Sequence, residues 1–250
     1  MTNKDLRDIL KSYKLQELDN IETDQEKELP QPAIQKNCHE ASLLFDLCPV
    51  EDFEYIQASF LDTLKHRKSR RTYSEEKISL KELSFLLWST QGVKKIVNKG
   101  YATLRTVPSA GARHPFETYL IVNNIEGLEP GLYRYLPLEH KLLFEGEIQD
   151  AHIKLNAATI NQKFVTMSSV VFVWTVIPYR TEWRYDGAAA KIIAIDAGHM
   201  CQNLYLAAEA IGAGMCAVAS YDQDKMDAIL GVDGSDEFTI YLASLGKQKL

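Results

Sequence analysis

The chain is predicted to fold as an α+β domain in which one β-sheet is flanked by helices. Val170–Ile177 is a continuous β-branched and aromatic run, which is typical of a buried strand. Gly187–Ile211 is long and Ala-rich and predicts a central helix. Predicted helices and strands alternate without a strict β-α-β order, and this argues for an α+β domain.

Length and composition indicate an ordinary globular protein. The 250 residues fit one large domain or two small ones, with 46% hydrophobic and 25% charged residues. A formal net charge of −6 gives no general reason to bind nucleic acid or an anionic membrane. No apolar run is long enough to span a bilayer, and the N-terminus lacks the apolar core of a signal peptide. We therefore expect a cytoplasmic protein.

The four cysteines predict neither a disulfide framework nor a metal site. No C-x-x-C pair and no Cys/His array with zinc spacing is present. Adjacent residues such as Cys38 and His39 do not by themselves make a site. Four reduced thiols and no bound metal are therefore expected.

Local patterns predict most of the elements in order. The first twenty residues are expected to be helical, Glu22–Asn37 is a polar, proline-containing linker or surface arm, and Asp52–Lys68 has helical apolar spacing. Ser79 and Glu82 form a capping box before a helix that Gly92 closes. The remaining predicted elements are strands at Glu117–Val122, Leu132–Leu136, Lys141–Glu145, Gly214–Tyr221 and Glu237–Gly246, and a short helix at Asp222–Leu230.

The basic stretch "KHRKSRRTY" is a candidate anion site. Arg70 and Arg71 supply planar forks of donors, and Thr72 adds a short hydroxyl, which together suit a phosphate monoester. When the stretch is considered alone, a solvated basic helix end is an equally good interpretation. A nucleic-acid patch is disfavoured by the acidic chain and the absence of interleaved aromatic residues.

The stretch "RTVPSAGARHPFETYLIV" carries a run of small residues before a strand. Small side chains let the backbone approach a ligand closely. His114 precedes Pro115 and is therefore expected outside the α region, where the chain turns into the strand. An ordinary loop leading to a strand is the alternative, and it is favoured when the segment is considered alone.

Two further patterns are less specific. Gly212 and Gly214 follow a helix instead of opening one, so they do not form a dinucleotide-binding fingerprint. Asp196 and His199 lie three apart and hence on one helical face. A metal or acid/base pair is one interpretation, and a pair within a helix that packs against other elements is the favoured one.

Taken together and in order, these segments resemble the nitroreductase superfamily, and within it the SagB-type (thiazole-forming) dehydrogenases. The matching segments are "SRRTYSEEKISLKELSFLLWSTQG", "RTVPSAGARHPFE", "GLYRY", "DAGHMCQNLYLAAEAIGAG" and "YLASLG", within Lys65–Gly246. The resemblance implies an FMN-binding fold with a mixed, mostly antiparallel sheet and a homodimer with two flavins at its interface. We expect residues 51–250 to form this domain and residues 1–50 an N-terminal helix and extended arm.

The resemblance also implies which residues bind FMN. Arg70, Arg71 and Thr72 would hold the phosphate and ribityl chain, and Lys247 would return toward the phosphate. Backbone N–H groups near Ala219 and Ser220 would lie close to flavin N5. The loop expected against the ring consists of Pro108, Ser109, Ala110, Gly111 and Ala112, the last at a position where many nitroreductases carry Asn.

Arg184 and Tyr185 are the candidate catalytic residues. They match a Lys-Tyr pair that acts in proton removal in the branch that oxidises azoline rings in peptides. Arginine is always protonated and is a poor general base, whereas Tyr185 could relay a proton. Gln91–Thr103 and Pro178–Gly187 are the candidate segments for the substrate pocket.

The implied activity is an FMN-dependent oxidoreductase that passes a hydride through flavin N5 between NAD(P)H and a small organic acceptor. A ping-pong order of half-reactions is expected. One alternative is a SagB-like flavin oxidase or dehydrogenase of heterocycles in a modified peptide or small molecule. Another is a flavin-binding or sensor protein without catalytic activity.

Overall fold

A computed structural model describes residues 3–38 and 42–249, and its main feature is a seven-stranded sheet. A separate two-stranded hairpin lies outside that sheet. The strands are β1 (Leu44–Asp46), β2 (Val93–Val97), β3 (Ala102–Arg105), β4 (Phe116–Val122), β5 (Gly131–Leu136), β6 (Lys141–Gly146), β7 (Val170–Val176), β8 (Ala213–Val218) and β9 (Phe238–Lys247).

The large sheet runs in the order β1-β6-β5-β4-β7-β9-β8, and β2 and β3 form the hairpin. Every neighbouring pair of strands in the large sheet is antiparallel. The predicted α+β class with one sheet flanked by helices is confirmed. The sheet is antiparallel throughout the described strands, where the sequence predicted a mixed, mostly antiparallel one.

Helices cover both faces of this sheet. They are α1 (Asn3–Ile9), α2 (Tyr13–Glu17), α3 (Phe60–His66), α4 (Leu80–Gln91), α5 (Ala151–Ala158), α6 (Lys163–Thr166), α7 (Tyr179–Tyr185), α8 (Ala189–Ala210) and α9 (Gln223–Leu230). In β7, Phe172 and Trp174 pack with α4 and α8, whereas Val171 and Val173 pack with α5 and α9. Burial on both faces explains why β7 is continuously apolar instead of alternating.

The helix predicted over Asp52–Lys68 is wrong in its first half. A 3-10 turn at Val50–Tyr55 is followed by extended chain, and α3 begins only at Phe60. Ser59 has an extended backbone and its hydroxyl accepts the Asp62 N–H, so it caps α3 and separates it from the turn. The predicted capping box of α4 is confirmed, since Ser79 and Glu82 bond each other's backbone N–H groups.

The N-terminal arm crosses the surface in extended form and is fastened to the sheet through its backbone. The Lys36 N–H donates to Glu117 Oε1 at 2.9 Å, and the carbonyls of Lys36 and Asn37 accept from Arg134 at 3.2 and 3.0 Å. The Ile34 carbonyl accepts from Arg105 at 3.2 Å. The arm therefore caps buried arginines, while the division at residue 50 stays a prediction.

Glu117 is the acceptor at the centre of the buried charges beneath the arm. Its side chain is 2% exposed and lies 2.6 Å from Arg180 Nη2 and 3.6 Å from Arg134 Nη1. Burying a charge is costly unless it is paired, so Arg180 depends on this carboxylate, whereas Arg134 also pairs with Glu145 at 2.7 Å. Among residues 3–38 and 42–249, none of the helices combines the length and hydropathy that a bilayer-spanning segment needs.

Glu117→Gln should lower the free energy of unfolding by about 3–5 kcal/mol, because it leaves the buried Arg180 guanidinium without a counter-charge. Glu145→Gln is the matched control, since Glu145 also bonds Arg134 but its side chain is 31% exposed. That control should cost at most about 1 kcal/mol. Urea unfolding measures both, and equal losses would contradict the central role of Glu117.

Candidate active site

The loop from Pro108 to Ala112 follows β3 and carries an unusual backbone. Ser109 is extended, and a 3-10 turn at Ala110–Ala112 contains φ values of 58° at Gly111 and 54° at Ala112. His114 adds a third positive φ, at 45°. Residues with side chains rarely adopt such values, so the surrounding contacts must hold this loop in place.

Those contacts come largely from Asp196 on α8. The Ala110 N–H donates to Asp196 Oδ2 at 3.3 Å, and the Ser109 hydroxyl accepts the His114 N–H at 2.9 Å. Burial raises the pKa of Asp196, while hydrogen bonds from Ser109 and the Ala110 amide oppose the shift. His199 lies 3.8 Å from Asp196 on the same helix, so the contact predicted from their spacing is present, but Asp196 also ties the loop to α8.

Gly111 lies directly against the two candidate catalytic residues. A Cβ at Gly111 would come within 2.8 Å of Tyr185 Oη and 2.9 Å of Arg184 Cδ. Only glycine both adopts the positive φ and leaves room for these side chains. The structure thus brings together the loop predicted to contact a ring and the pair predicted to act on substrate.

The two segments predicted to line the substrate pocket also converge here, although neither is a plain loop. The first forms the β2–β3 hairpin with Tyr101 near its turn, and the second is largely α7. The rings of Tyr101 and Trp183 lie 6.4 Å apart, and Arg184 Nη1 donates to Tyr101 Oη at 3.3 Å.

Arg113 is a residue of this site that sequence reasoning missed. It is 4% exposed, its Nε donates to the Gly111 carbonyl, and its Nη2 donates to the Tyr101 carbonyl, each at 3.0 Å. Its guanidinium lies 4.8 Å from the Tyr101 ring centroid and 5.5 Å from that of Trp183. The available signal was an arginine immediately after the small-residue run.

The residues predicted to hold the phosphate lie near the C-terminal end of α8. They form a second group, separate from the loop Pro108–Ala112 and its contacts. Arg70 is ion-paired with Glu209, and its side chain covers Gly214, where a Cβ would lie 2.9 Å from Arg70 Cδ. Arg71 is exposed and lies 5.6 Å from the Phe164 ring centroid, and Thr72 is exposed. Arg71 and Thr72 therefore present donors to solvent, whereas Glu209 neutralises Arg70.

The chain after β8 lies beside this second group. The Ala217 N–H donates to Tyr205 Oη at 3.0 Å, and that hydroxyl is 2.8 Å from Ser69 Oγ. Ala219 and Ser220 are exposed just beyond the strand. The backbone at Ala219 and Ser220, not that of Ala217, is thus the part open to a ligand.

Lys247 is held by two glutamates. Its Nζ lies 2.5 Å from Glu82 Oε1 and 3.9 Å from Glu76 Oε1. Glu82 is also the capping-box residue of α4, so the ammonium is tied to the start of that helix. Its predicted contact with phosphate stays a prediction.

The structure contains the three parts predicted for an FMN site. They are the small-residue loop Pro108–Ala112, the exposed cation Arg71, and the exposed backbone at Ala219 and Ser220. Within one chain, however, the small-residue loop lies far from the segment of Arg70 and Arg71. Asp196, which holds the loop, and Glu209, which holds Arg70, are separated by about 20 Å along α8 at 1.5 Å per residue. The groups predicted to hold the phosphate and the ring of FMN therefore form two separate halves of one chain, and their contacts with the cofactor stay a prediction.

Comparison with known proteins identifies the family. The sequence profile of the Nitroreductase family matches residues 64–247, which is most of the chain. The chain belongs to the nitroreductase family. The predicted resemblance is thereby confirmed, and the matched region contains both groups described above.

Individual relatives agree with the family assignment. A protein of Methanocaldococcus jannaschii described as a nitroreductase is 30% identical over 187 residues, covering 75% of this chain and 90% of the relative. The trifolitoxin-processing protein TfxB of Rhizobium leguminosarum bv. trifolii is 28% identical over 240 residues, and the match spans 61% of that protein's length. A solved nitroreductase structure from Ralstonia eutropha has a TM-score of 0.69 at 25% identity, covering 89% of this chain and 95% of its own.

Gly111→Ala in this nitroreductase should disturb both the backbone and the site. The positive φ costs about 1–2 kcal/mol for a residue with a Cβ, and the new methyl would also displace Arg184 and Tyr185. Gly127→Ala is the matched control, because Gly127 has φ 79° and a Cβ there would meet no atom within 4 Å. Both variants should lose stability in thermal unfolding, but only Gly111→Ala should weaken flavin binding in a titration. Equal flavin affinity for the two variants would contradict this contact.

His114→Gln should reduce the acid sensitivity of the fold. Burial lowers the pKa of His114 to about 3, so the unfolded chain binds a proton more readily below pH 6.5. Stability is therefore full above pH 6.5 and is lost as the pH falls, by about 2 kcal/mol between pH 7 and pH 5. The exposed His152 provides the control, since His152→Gln should keep the wild-type dependence in urea unfolding. Burial also lowers the pKa of His140, so some dependence should remain in His114→Gln.

Proposed function

We propose that this nitroreductase-family chain is an FMN-dependent oxidoreductase acting between NAD(P)H and a small organic acceptor. The observation that carries the proposal is the packing of Gly111 against Arg184 and Tyr185, which joins the loop proposed to contact the ring to the two candidate catalytic side chains. When bound, FMN supplies the two-electron hydride chemistry, and the protein supplies orientation and electrostatics.

Arg71 and Thr72 are the residues best suited to hold the phosphate. Both are exposed, and a guanidinium with a neighbouring hydroxyl offers charge-assisted hydrogen bonds to phosphate oxygens. Arg70 has a positioning role, because its ion pair with Glu209 and its packing on Gly214 fix the backbone that leads into Arg71. The Arg70 N–H bond to the Met215 carbonyl, at 2.9 Å, ties the same segment to β8.

The loop Pro108–Ala112 and the backbone at Ala219 and Ser220 would orient the ring. The small side chains of the loop let its backbone lie close to a flat ligand, and its bond to Asp196 holds it rigid. Peptide N–H groups of Ala219 and Ser220, which are exposed beyond β8, would donate to a ring nitrogen. The aromatic rings of Tyr101 and Trp183 would exclude water on the substrate side.

Tyr185 is the candidate to hold and move a proton at its Oη. Its hydroxyl lies against Gly111, beside the place where a substrate would meet the ring. Arg184 stays protonated and therefore acts as a fixed positive charge instead of a base. This division of roles requires no Ser-His-Asp triad.

A homodimer would join the two halves of the site. The two groups lie about 20 Å apart along α8, and an isologous antiparallel pairing of α8 with a second copy would bring each group next to the other group of its partner. The outward face of α8 is exposed at Ala194, Ile195 and Gly198, and Ile195 is 49% exposed. On neighbouring α3, Phe60 and Leu61 are 69% and 60% exposed, which extends an apolar surface fit for a second copy.

Oxidation of a heterocycle in a modified peptide is the second candidate function. It is supported by the 28% identity with a protein whose name gives it a role in processing trifolitoxin. Arginine at position 184 is a poor general base, so in this chain another group would have to remove the proton from the heterocycle. Turnover of an azoline-containing peptide with oxygen as acceptor, without NAD(P)H, would favour this candidate.

The central test is a visible spectrum of the purified protein supplemented with FMN, before and after NADPH addition under nitrogen. We expect a bound-flavin spectrum that NADPH bleaches and that an added nitroaromatic acceptor restores. A protein that takes up no FMN would contradict the proposal outright. Flavin that binds but stays oxidised with both NADPH and NADH would contradict the reductase activity.

Arg71→Gln should weaken FMN binding by about tenfold or more, since hydrogen bonds to a charged group typically contribute at least that factor. Riboflavin lacks the phosphate and serves as the matched ligand, for which we expect a clearly smaller change. Arg7→Gln, at an exposed arginine of α1, is the matched variant and should bind both ligands as the wild type does. Equal losses for FMN and riboflavin would contradict a phosphate contact at Arg71.

A mixed dimer tests whether the site is shared between copies. Arg71→Gln and Gly111→Ala chains carrying different tags are co-expressed, and tandem purification isolates the heterodimer. If each site takes Arg71 from one copy and the loop from the other, one of the two sites is intact and FMN binds at about half the wild-type stoichiometry. Sites built within one chain would leave both defective, and failure to recover both tags together would contradict the dimer.

A further inference from the structure

Two guanidiniums lie next to each other at the candidate active site. Arg184 and Arg113 both contact Gly111, the first through its side-chain carbons and the second through a hydrogen bond from Nε to the Gly111 carbonyl. Both also bond Tyr101, Arg184 at Oη and Arg113 at the carbonyl oxygen. Like charges this close repel one another unless an anion lies between them.

No carboxylate of the described part of the chain pairs with either of them. Within 4.0 Å, the described arginines that form ion pairs are Arg70, Arg134 and Arg180. Arg113 is 4% exposed, and burial is the main reason that its pKa is lowered, with the charge of Arg184 acting in the same direction. Arg134 and Arg180, by contrast, form ion pairs with Glu117.

Tyr101 adds a third donor to the same place. Its Oη accepts hydrogen bonds from Gln25 Nε2 at 2.7 Å and from Arg184 Nη1 at 3.3 Å. A phenol that accepts two hydrogen bonds retains its own O–H for donation. Arg184, Arg113 and the Tyr101 hydroxyl are therefore three donor groups that would favour an oxyanion.

We propose that Arg184, Arg113 and Tyr101 form an anion-recognition site that binds a carboxylate on the acceptor substrate. Arginine matches the planar geometry of a carboxylate with two parallel hydrogen bonds, and the ring of Tyr101, which is half-buried beside Arg184, offers apolar contact to the rest of the molecule. The inference rests on the proposed function, and it names the substrate class as aromatic or heterocyclic acids. Arg184 is then a specificity residue where the related branch has a catalytic base.

The test compares 4-nitrobenzoate with nitrobenzene, which differ only in the carboxylate. The reductant is 1-benzyl-1,4-dihydronicotinamide, which carries no anionic group that could compete for the site. Wild-type holoprotein should show a higher kcat/KM for 4-nitrobenzoate. In Arg184→Gln the ratio of the two kcat/KM values should fall by about tenfold or more, and Arg184→Lys should restore part of it because the charge returns without the planar fork. Arg7→Gln should keep the wild-type ratio.

A binding measurement provides a readout besides turnover. Isothermal titration of benzoate and benzamide into the holoprotein should give tighter binding of benzoate, and Arg184→Gln should abolish the difference. A wild-type protein with no preference for the acid in either assay would overturn the anion site. A ratio unchanged in Arg184→Gln would overturn the role of Arg184.

Two other outcomes would show that Arg184 and Arg113 bind a different ligand. If Arg184→Gln alters reduction by NADPH but leaves the acceptor ratio as in the wild type, the pair binds a dinucleotide phosphate and the carboxylate proposal is wrong. If it weakens FMN binding and leaves the ratio as in the wild type, the pair belongs to the cofactor site, which also overturns the proposal. Failure of the proposed function is recognised separately, because the protein would then bind no FMN and reduce neither acceptor.

Discussion

The bond between Asp196 and the backbone of Ala110 is the contact on which the candidate site depends. It crosses from the long helix α8 to a loop that contains three positive φ values, two of them at residues with side chains. A loop of small residues makes few apolar contacts of its own, so it holds such a conformation only when other groups fix its polar atoms. Because Asp196 is buried, the bond is also shielded from competing water. The conformation of the loop thus depends on its contact with α8.

The same helix sets the distance between the parts of the site. The partner of the loop lies about two turns into α8, and the partner of Arg70 lies near its end, so the helix separates the group proposed to contact the ring from the group proposed to bind the phosphate. Both anchors are carboxylates, but they act differently. Asp196 accepts backbone hydrogen bonds and shapes a loop, whereas Glu209 neutralises one arginine of an adjacent pair and leaves Arg71 as the exposed cation.

The sequence predicted elements whose signals are local and missed those that depend on distant contacts. The capping box at Ser79, the Gly131–Gly146 hairpin and the strand at Val170 all carry turn, cap or burial patterns within a few residues. The β2–β3 hairpin and α7 have no such pattern, and they are held by tertiary contacts such as the one between Tyr101 and Trp183. The loop and the catalytic pair were predicted from resemblance. Their contact at Gly111 was not, because residues more than seventy positions apart give no pairing signal in a single sequence.

Arg113 shows why the chemistry of the site needs the structure. In sequence it is one more arginine, beside a histidine and a proline, and buried arginines elsewhere in the chain, such as Arg180, have a purely structural role with a glutamate partner. Only the fold reveals that Arg113 is buried, that it contacts Gly111 as Arg184 does, and that two of its N–H groups donate to carbonyl oxygens, which do not neutralise its charge. An uncompensated positive charge beside a loop for a flat ring favours ligands that bring a negative charge, either in the ground state or as it develops during reaction. The electrostatic field of the site is thus set by Arg113 and Arg184 together with the lack of a carboxylate partner for either within residues 3–38 and 42–249.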